Sequence, residues 1–266
     1  MKYCKSIYKY TQNFLNDASL VNYLVKNSNI SRNDTILEIG TGKGIITQEL
    51  SNYAQKVISY EIDSKLIEHF KKKCPKNVSI INDDFFNCNL ISLGKYKVFS
   101  NLPFMNSNKI IKKLVYSSNR PKDLFLIIQY ELAEKYSGHP FFTSETLKSL
   151  LLKPFYDIKI IQTISRTNFT PVPNVDACFI HFQLKKSDLS KEEYKSYKIF
   201  LDEFFNSSER GIKNKLKKFF TYKQIKKLSQ QLKFNINGLW YELTYIQFLN
   251  IFKFYNKEVL AHEYHS

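Results

Sequence analysis

From Thr35 onward the chain alternates short β-rich runs with helical patterns, and that alternation leaves few architectures open. Candidate strands are Thr35 to Ile39, Val57 to Glu61, Ser79 to Asp83, Tyr96 to Ser100 and Leu124 to Tyr130, followed by Ile158 to Ile164 and Ala177 to Leu184. Helical stretches such as Lys65 to Lys73 and Lys109 to Tyr116 fall between them. Strands separated by helices pair in parallel, with helices covering both faces. An α/β fold with a mostly parallel sheet is therefore expected, its last two strands close enough in sequence to form an antiparallel edge. After Lys185 the pattern becomes lysine-rich and helical through about Lys257, broken only by Gly211 and Gly238 and free of proline. This change places residues 1–186 in the sheet-containing domain and 187–266 in a small all-helical one. A chain of 266 residues can bury a core in each, and Ala261 to Ser266 reads as a frayed tail.

The first strand opens into Glu38-Ile39-Gly40-Thr41-Gly42-Lys43-Gly44, and Ile45 to Tyr53 then reads as a helix. Glycines in such a turn let the backbone reverse sharply and approach a ligand with no Cβ in the way. Spacing selects the ligand. A dinucleotide turn needs glycines at the first, third and sixth positions, and the sixth position after Gly40 is Ile45. Lys43-Gly44 has no following Ser or Thr and no longer loop, which excludes a phosphate-cradling P-loop. Gly-x-Gly-x-Gly instead resembles the S-adenosyl-L-methionine turn. Glu61 ends the second strand about twenty residues on, where a carboxylate can accept both hydrogen bonds of a ribose diol. Asp84 follows the third strand in position to meet an adenine amino group, with Phe85 beside it to pack on the base. Each feature alone also fits a tight turn or a solvated loop acid. Together they describe an adenosine pocket at the carboxyl ends of the strands.

Asn101-Leu102-Pro103-Phe104 closes the fourth strand. An exocyclic adenine amine is a poor nucleophile because its lone pair is delocalised into the ring. The Asn101 side-chain oxygen and the Leu102 carbonyl could hold both amine hydrogens, Phe104 could stack on the base, and Pro103 would fix the turn that aims them. The same four residues also read as a simple Asn-x-Pro turn.

The charge fits a polyanionic partner. Forty Lys and Arg against 24 Asp and Glu leave a formal +16 and a pI near 9.5, which suits nucleic acid or an anionic surface. Arg210 to Lys233 holds nine basic and no acidic residues. On a helical wheel Ile212, Leu216, Phe219 and Phe220 share one face, while Arg210, Lys213, Lys217 and Lys218 cover much of the other. A packed helix with a cationic stripe for RNA phosphates is expected. Hydrophobic stretches are short and interrupted, and Met1 to Leu15 has no apolar signal core, so a cytoplasmic monomer without membrane contact is expected. Cys4, Cys74, Cys88 and Cys178 show no paired spacing and no Cys/His cluster, so no metal site is expected.

Taken in order, Gln12-Asn13-Phe14-Leu15, Glu38 to Gly44, Glu61, Asp84, Asn101 to Phe104 and Asn168-Phe169-Thr170-Pro171-Val172-Pro173-Asn174-Val175-Asp176-Ala177 resemble the ribosomal RNA adenine dimethyltransferases. These comprise the Erm macrolide-resistance enzymes and the housekeeping enzymes of the KsgA kind. The resemblance covers about residues 8 to 186. It implies a class I, Rossmann-like S-adenosylmethionine-dependent methyltransferase domain acting on N6 of an rRNA adenine. It also implies that Asn13, Leu15, Gly40, Gly42, Glu61, Asp84, Phe85 and Asn101 serve the cofactor, with Phe169 as a second aromatic wall for an extruded adenine. From the residues alone, Phe14 and Leu15 fit equally well as core side chains, and Phe169 as a buried strand-end aromatic. Phe104 stands where tyrosine is frequent in the family, and Met105 where asparagine is. Thr41-Gly42-Lys43-Gly44 resembles the Erm turn, since the housekeeping enzymes usually carry Gly-Pro-Gly there. A 23S rRNA target is therefore expected. A small-subunit enzyme of the 16S type, or a non-catalytic RNA-binding or transcription factor on the same fold, are the other readings.

Overall fold

The structure, a computed structural model, describes residues 13–260, except the side chains of Val259 and Leu260. Gln12, Cys4 and the segment 261–266, on which expectations were placed, lie outside the described residues. In chain order the strands are β1 (Phe14–Leu15), β2 (Thr35–Ile39), β3 (Lys56–Tyr60), β4 (Val78–Ile81), β5 (Lys97–Asn101), β6 (Asp123–Gln129), β7 (Tyr156–Ile164), β8 (Phe169–Thr170) and β9 (Ala177–Leu184).

Seven of them form one sheet in the order β4-β3-β2-β5-β6-β9-β7. The pairs from β4 through β6 are all parallel. β2 and β6 read as nearly continuous apolar runs because helices cover both faces of a parallel sheet: Ile36, Leu37 and Ile39, and Leu124 to Ile128, are all buried. The two strands expected at the edge lie next to each other there. β9 inserts beside β6 and runs antiparallel to it, Leu126 opposite Ile180, while β7 lies beyond β9 at the margin. The chain leaves β2 to build β3 and β4 on one side and crosses over to build β5 and β6 on the other. Such a reversal opens a crevice at the carboxyl ends of the strands, here at Gly40 after β2 and Asn101 at the end of β5.

Four helices follow or flank these strand ends. α1 (Ala18–Lys26) is capped by Asp17, whose carboxylate accepts the Ser19 and Leu20 N–H groups, and it buries Val21, Leu24 and Val25. α2 (Ile45–Tyr53) starts directly after Gly44 and buries Ile46 and Leu50. α3 (Ser64–Lys71) is capped by Asp63 and buries Ile67 and Phe70. Gly44 has φ +84°, and a Cβ there would collide with the Phe70 ring, so glycine is required both by conformation and by space. α4 (Ser107–Val115) follows the Asn101 segment and buries Ile110, Ile111 and Leu114.

The chain divides into two compact units, one formed by residues through Ala133 with Asp157–Leu184 and the other by Glu134–Tyr156 with the residues from Lys185 onward. The pattern change near residue 186 falls at the third passage of the chain between them, after those at 133/134 and 156/157. Nothing in the periodicity signals that 134–156 groups with the C-terminal helices. There α5 (Tyr130–Ser137) ends and α6 (Leu147–Leu152) places Leu150 in a core with Phe200, Phe204, Ile212, Phe248 and Phe252. The remaining helices are α7 (Lys191–Asn206), α8 (Ile212–Leu216), α9 (Tyr222–Leu232) and α10 (Tyr245–Tyr255). Capping boxes start α7 at Ser190 and Glu193, α9 at Thr221 and Gln224, and α10 at Thr244 and Gln247, satisfying N–H groups that a helix start otherwise leaves open.

The expected single basic helix is corrected here. Arg210 to Lys233 contains two helices, α8 and α9, because the chain turns after Leu216 and Thr221 caps a new start. Phe219 and Phe220, in the turn between the two helices, are both buried. The apolar side is as expected, with Ile212 and Leu216 fully buried. Arg210, Lys217 and Lys218 are exposed and Lys213 is half-buried. Lys215 belongs to the interior: its ammonium donates to the Phe204 and Ser207 carbonyls at 2.7 and 2.8 Å.

Candidate active site

A cleft of about 430 Å³, part of it open to solvent, is lined by Asn13, Phe14, Gly40, Gly42, Glu61, Asn101, Leu102, Pro103 and Phe104. Sequence positions 88 apart are joined at its centre, where the Asn101 amide donates to the Asn13 carbonyl at 2.8 Å. The opposite side of that amide, Asn101 Oδ1, is buried and has no hydrogen-bond partner. A buried acceptor left unmatched is costly. Asn101 is itself one of the residues that line the cleft.

The glycine turn and Glu61 form the other wall. Gly42 has φ +54°, and a Cβ there would lie 2.9 Å from the Phe14 ring, so its missing side chain is what lets Phe14 close over the turn. The Gly42 N–H donates to Glu61 Oε2 at 2.9 Å and the Asp63 N–H to Oε1 at 3.0 Å. Both oxygens of the buried carboxylate thus brace the backbone. Each still has a lone pair for a ligand hydroxyl. The Lys43 ammonium lies 5.5 Å from the Phe14 ring centroid.

Beneath the turn sits Glu38, fully buried, a residue of the glycine motif to which sequence reasoning gave no role. Its Oε2 accepts the Thr47 and Ser59 hydroxyls, each at 2.7 Å, and Ser59 shares a 2.6 Å hydrogen bond with Thr41. Burial pushes its carboxyl up to about 8 against the two hydroxyl bonds, with the Glu61 charge adding to the rise. Its place inside a strand whose other central residues, Ile36, Leu37 and Ile39, are all apolar and buried is the one sequence signal of its burial.

On the strand end itself, Leu102 N–H donates to Ile127 O at 3.1 Å, and Asn106 N–H donates to Pro103 O at 2.9 Å, closing a turn with Phe104 and Met105 at its tip. Phe104 lines the cleft, while Met105 is exposed. Asn106 caps no backbone group with its side chain.

Four expected site residues stand away from the cleft surface. Leu15 and Phe169 face each other in the β1–β8 ribbon and are both buried in the sheet core. Phe169 meets Phe104 edge-on at 6.2 Å between centroids. Fully buried, it stands against that ring and has no surface open to solvent. Asp84 accepts the Phe86 N–H with Oδ1 and so caps the short turn Phe85–Asn87. Phe85 is buried edge-on to Tyr60, with the Lys113 ammonium 4.9 Å from its ring centroid. Neither Asp84 nor Phe85 lines the cleft. Among the described residues no group of His, Cys, Asp and Glu could hold a metal ion, and no helix is long and apolar enough to cross a membrane.

The residues present fit a cofactor with a ribose diol on one side and a group facing Asn101 on the other. A buried double acceptor at Glu61, a close backbone approach at Gly42 and the unmatched Asn101 oxygen share one cleft. The family described as ribosomal RNA adenine dimethylase matches residues 5–257. The ribosomal RNA small subunit methyltransferase A of Mycoplasmopsis pulmonis is 31% identical over 82% of this chain and 86% of that protein. The rRNA adenine N-6-methyltransferase of Lysinibacillus sphaericus is 31% identical over 93% of this chain and 97% of that protein. Among solved structures, the 23S rRNA methyltransferase ErmE superposes with a TM-score of 0.82 at 19% identity, covering 92% of this chain and 100% of that one. A dimethyladenosine transferase from Plasmodium falciparum gives 0.72 at 22%, covering 92% and 98%. These likenesses establish the Rossmann-like methyltransferase fold. With the sequence match spanning nearly the whole length, the chain belongs to the ribosomal RNA adenine dimethylase family, whose members are S-adenosyl-L-methionine-dependent methyltransferases.

Proposed function

We propose that this enzyme methylates N6 of an adenine in 23S rRNA, as a cytoplasmic monomer acting on RNA not yet covered by ribosomal proteins. The observation that carries the chemistry is the buried, unmatched Asn101 Oδ1 in the same cleft as Gly40, Gly42 and Glu61. Glu61 and the Gly40 to Gly42 backbone hold S-adenosylmethionine, which supplies a methyl group on a positive sulfur. Asn101 Oδ1 accepts one hydrogen of the adenine amine and the Leu102 carbonyl accepts the other. Held this way the nitrogen pyramidalises and its lone pair becomes directional. Phe104, backed by Phe169, stacks on the base after it leaves its helix or loop. No side chain is needed as a base, since the methylated nitrogen is acidic and releases its proton to water.

The choice of large-subunit RNA rests on Thr41-Gly42-Lys43-Gly44 and on the compact basic tail. Methylation at an adenine of the macrolide site removes a hydrogen-bonding position and fills space the drug needs. Expression in a sensitive bacterium is expected to confer resistance to macrolides, lincosamides and streptogramin B, with primer extension stopping at the modified adenine. Restored kasugamycin sensitivity in a strain lacking its small-subunit enzyme, without macrolide resistance, overturns the choice of target and leaves the chemistry in place.

A further inference from the structure

Tyr222 is the first residue of α9 and is 55% exposed, and the Lys213 ammonium stands 4.8 Å from its ring centroid. An exposed tyrosine is ordinary in itself. Two things distinguish this one. The ring is not needed to hold the helix, because Thr221 and Gln224 cap the start and Ile225 and Leu228 supply the buried face. And the cation over it has no carboxylate partner among the described residues, in a 24-residue stretch with nine basic residues and no acidic one. A π-face beside an unneutralised ammonium is how a protein grips single-stranded nucleic acid, the ring taking a base and the cation its backbone.

We infer that Tyr222 is a stacking platform for an unpaired base of the RNA substrate, with Lys213 engaging the adjoining phosphate. The inference rests on the rRNA reading above and adds a base contact to a surface otherwise expected to read only phosphates. Stacking and phosphate binding respond differently to salt: counterion release makes the second strongly salt-dependent, whereas loss of a stacked base costs the same factor at every salt concentration.

The test uses the full chain and two fluorescein-labelled RNAs, a hairpin with a single-stranded loop and a fully paired duplex, titrated by anisotropy over a range of KCl. Tyr222→Ala is expected to weaken hairpin binding about 5- to 150-fold, the equivalent of one stacked base, by the same factor at each salt concentration and with duplex binding unchanged. Tyr222→Phe retains the wild-type affinity. The triple variant Lys213→Gln, Lys217→Gln, Lys218→Gln weakens both RNAs and flattens the salt slope by roughly 0.7 to 0.9 for each phosphate no longer neutralised. Tyr222→Ala binding the hairpin as wild type does, or losing hairpin and duplex equally, overturns the platform. Wild-type protein that binds neither RNA saturably overturns the rRNA reading beneath it.

Discussion

Replacing Glu61 with Gln separates the two jobs its carboxylate performs. Oε2 takes the Gly42 N–H and Oε1 the Asp63 N–H, and the side chain is 3% exposed. Gln keeps the shape but turns one oxygen into an amide donor, so one backbone N–H faces another donor. A hydrogen bond to a charged acceptor contributes about 1.5–3 kcal/mol. Unfolding free energy is therefore expected to fall by about 1.5–3 kcal/mol in Glu61→Gln, and by at least the upper end of that range in Glu61→Ala, where both bonds go. The second job is to accept the ribose diol. Losing one of two acceptors costs a similar amount, so S-adenosylmethionine affinity is expected to drop about 10- to 150-fold. Urea unfolding without ligand measures the first effect, since bound ligand would add its own stabilisation. Calorimetric titration at a temperature where the variant is folded measures the second. Glu61→Gln with the wild-type urea midpoint refutes the backbone brace, and with wild-type affinity refutes the diol assignment.

Asn101→Ala removes the unmatched acceptor and is expected to lower single-turnover methyl transfer on the order of 10²- to 10³-fold, as for other single preorganised polar groups. RNA affinity should change little, because most of it comes from phosphate contacts; full activity in this variant sinks the proposed chemistry. Glu38 governs a pH effect. Its folded carboxyl is raised to about 8 from an ordinary value of 4.5 by burial, so between those values the folded state holds a proton that the unfolded state has released. Stability should fall as pH rises through that window, by up to about 1.4 kcal/mol per unit. Glu38→Gln should flatten the decline, and unfolding midpoints in buffered urea that fall as steeply as in the wild type would show that Glu38 does not titrate there.

Much of this cleft is legible in the amino-acid sequence alone. β2 with its glycine turn and the Asn101 segment announce themselves because a strand end followed by glycine or proline is a local signal, carried by a few adjacent residues, and Glu61 does so as an acid closing the next β-rich run. What escapes such reading depends on residues distant in sequence. That Leu15 and Phe169 lie behind the cleft follows from their pairing across 154 positions. A buried network at the amino end of β5 is equally invisible. The Lys97 ammonium reaches Asp34 at 3.0 Å, and Asp123 meets His181 at 2.8 Å. Burial alone would raise the Asp34 carboxyl, but the Lys97 and Ser31 hydrogen bonds outweigh it and hold it below its ordinary value. A lysine in a strand reads as solvent-facing until its partners are known. The split between α8 and α9 escapes because a helical wheel assumes continuity, and the Thr221 cap that breaks it competes with a periodicity that runs on through it.

The ribbon of Phe14–Leu15 against Phe169–Thr170, tied further by the Asn16 N–H to Asn168 O at 3.1 Å, bears on the order in which this molecule assembles. Contacts between residues so far apart close late, because the chain between them must be ordered first. The parallel sheet from β4 to β6 needs none of them. The pocket is therefore among the last regions to form and among the first to open, with two residues a side holding Asn13 and Phe14 over the glycine turn. An opened ribbon leaves a folded sheet that has no place for its methyl donor. Ligand bound in the cleft then acts as a clasp on the N-terminal segment, and hydrogen exchange at Phe14, Leu15 and Phe169 should slow on adding S-adenosylmethionine well before the amides of β2 and β5 respond.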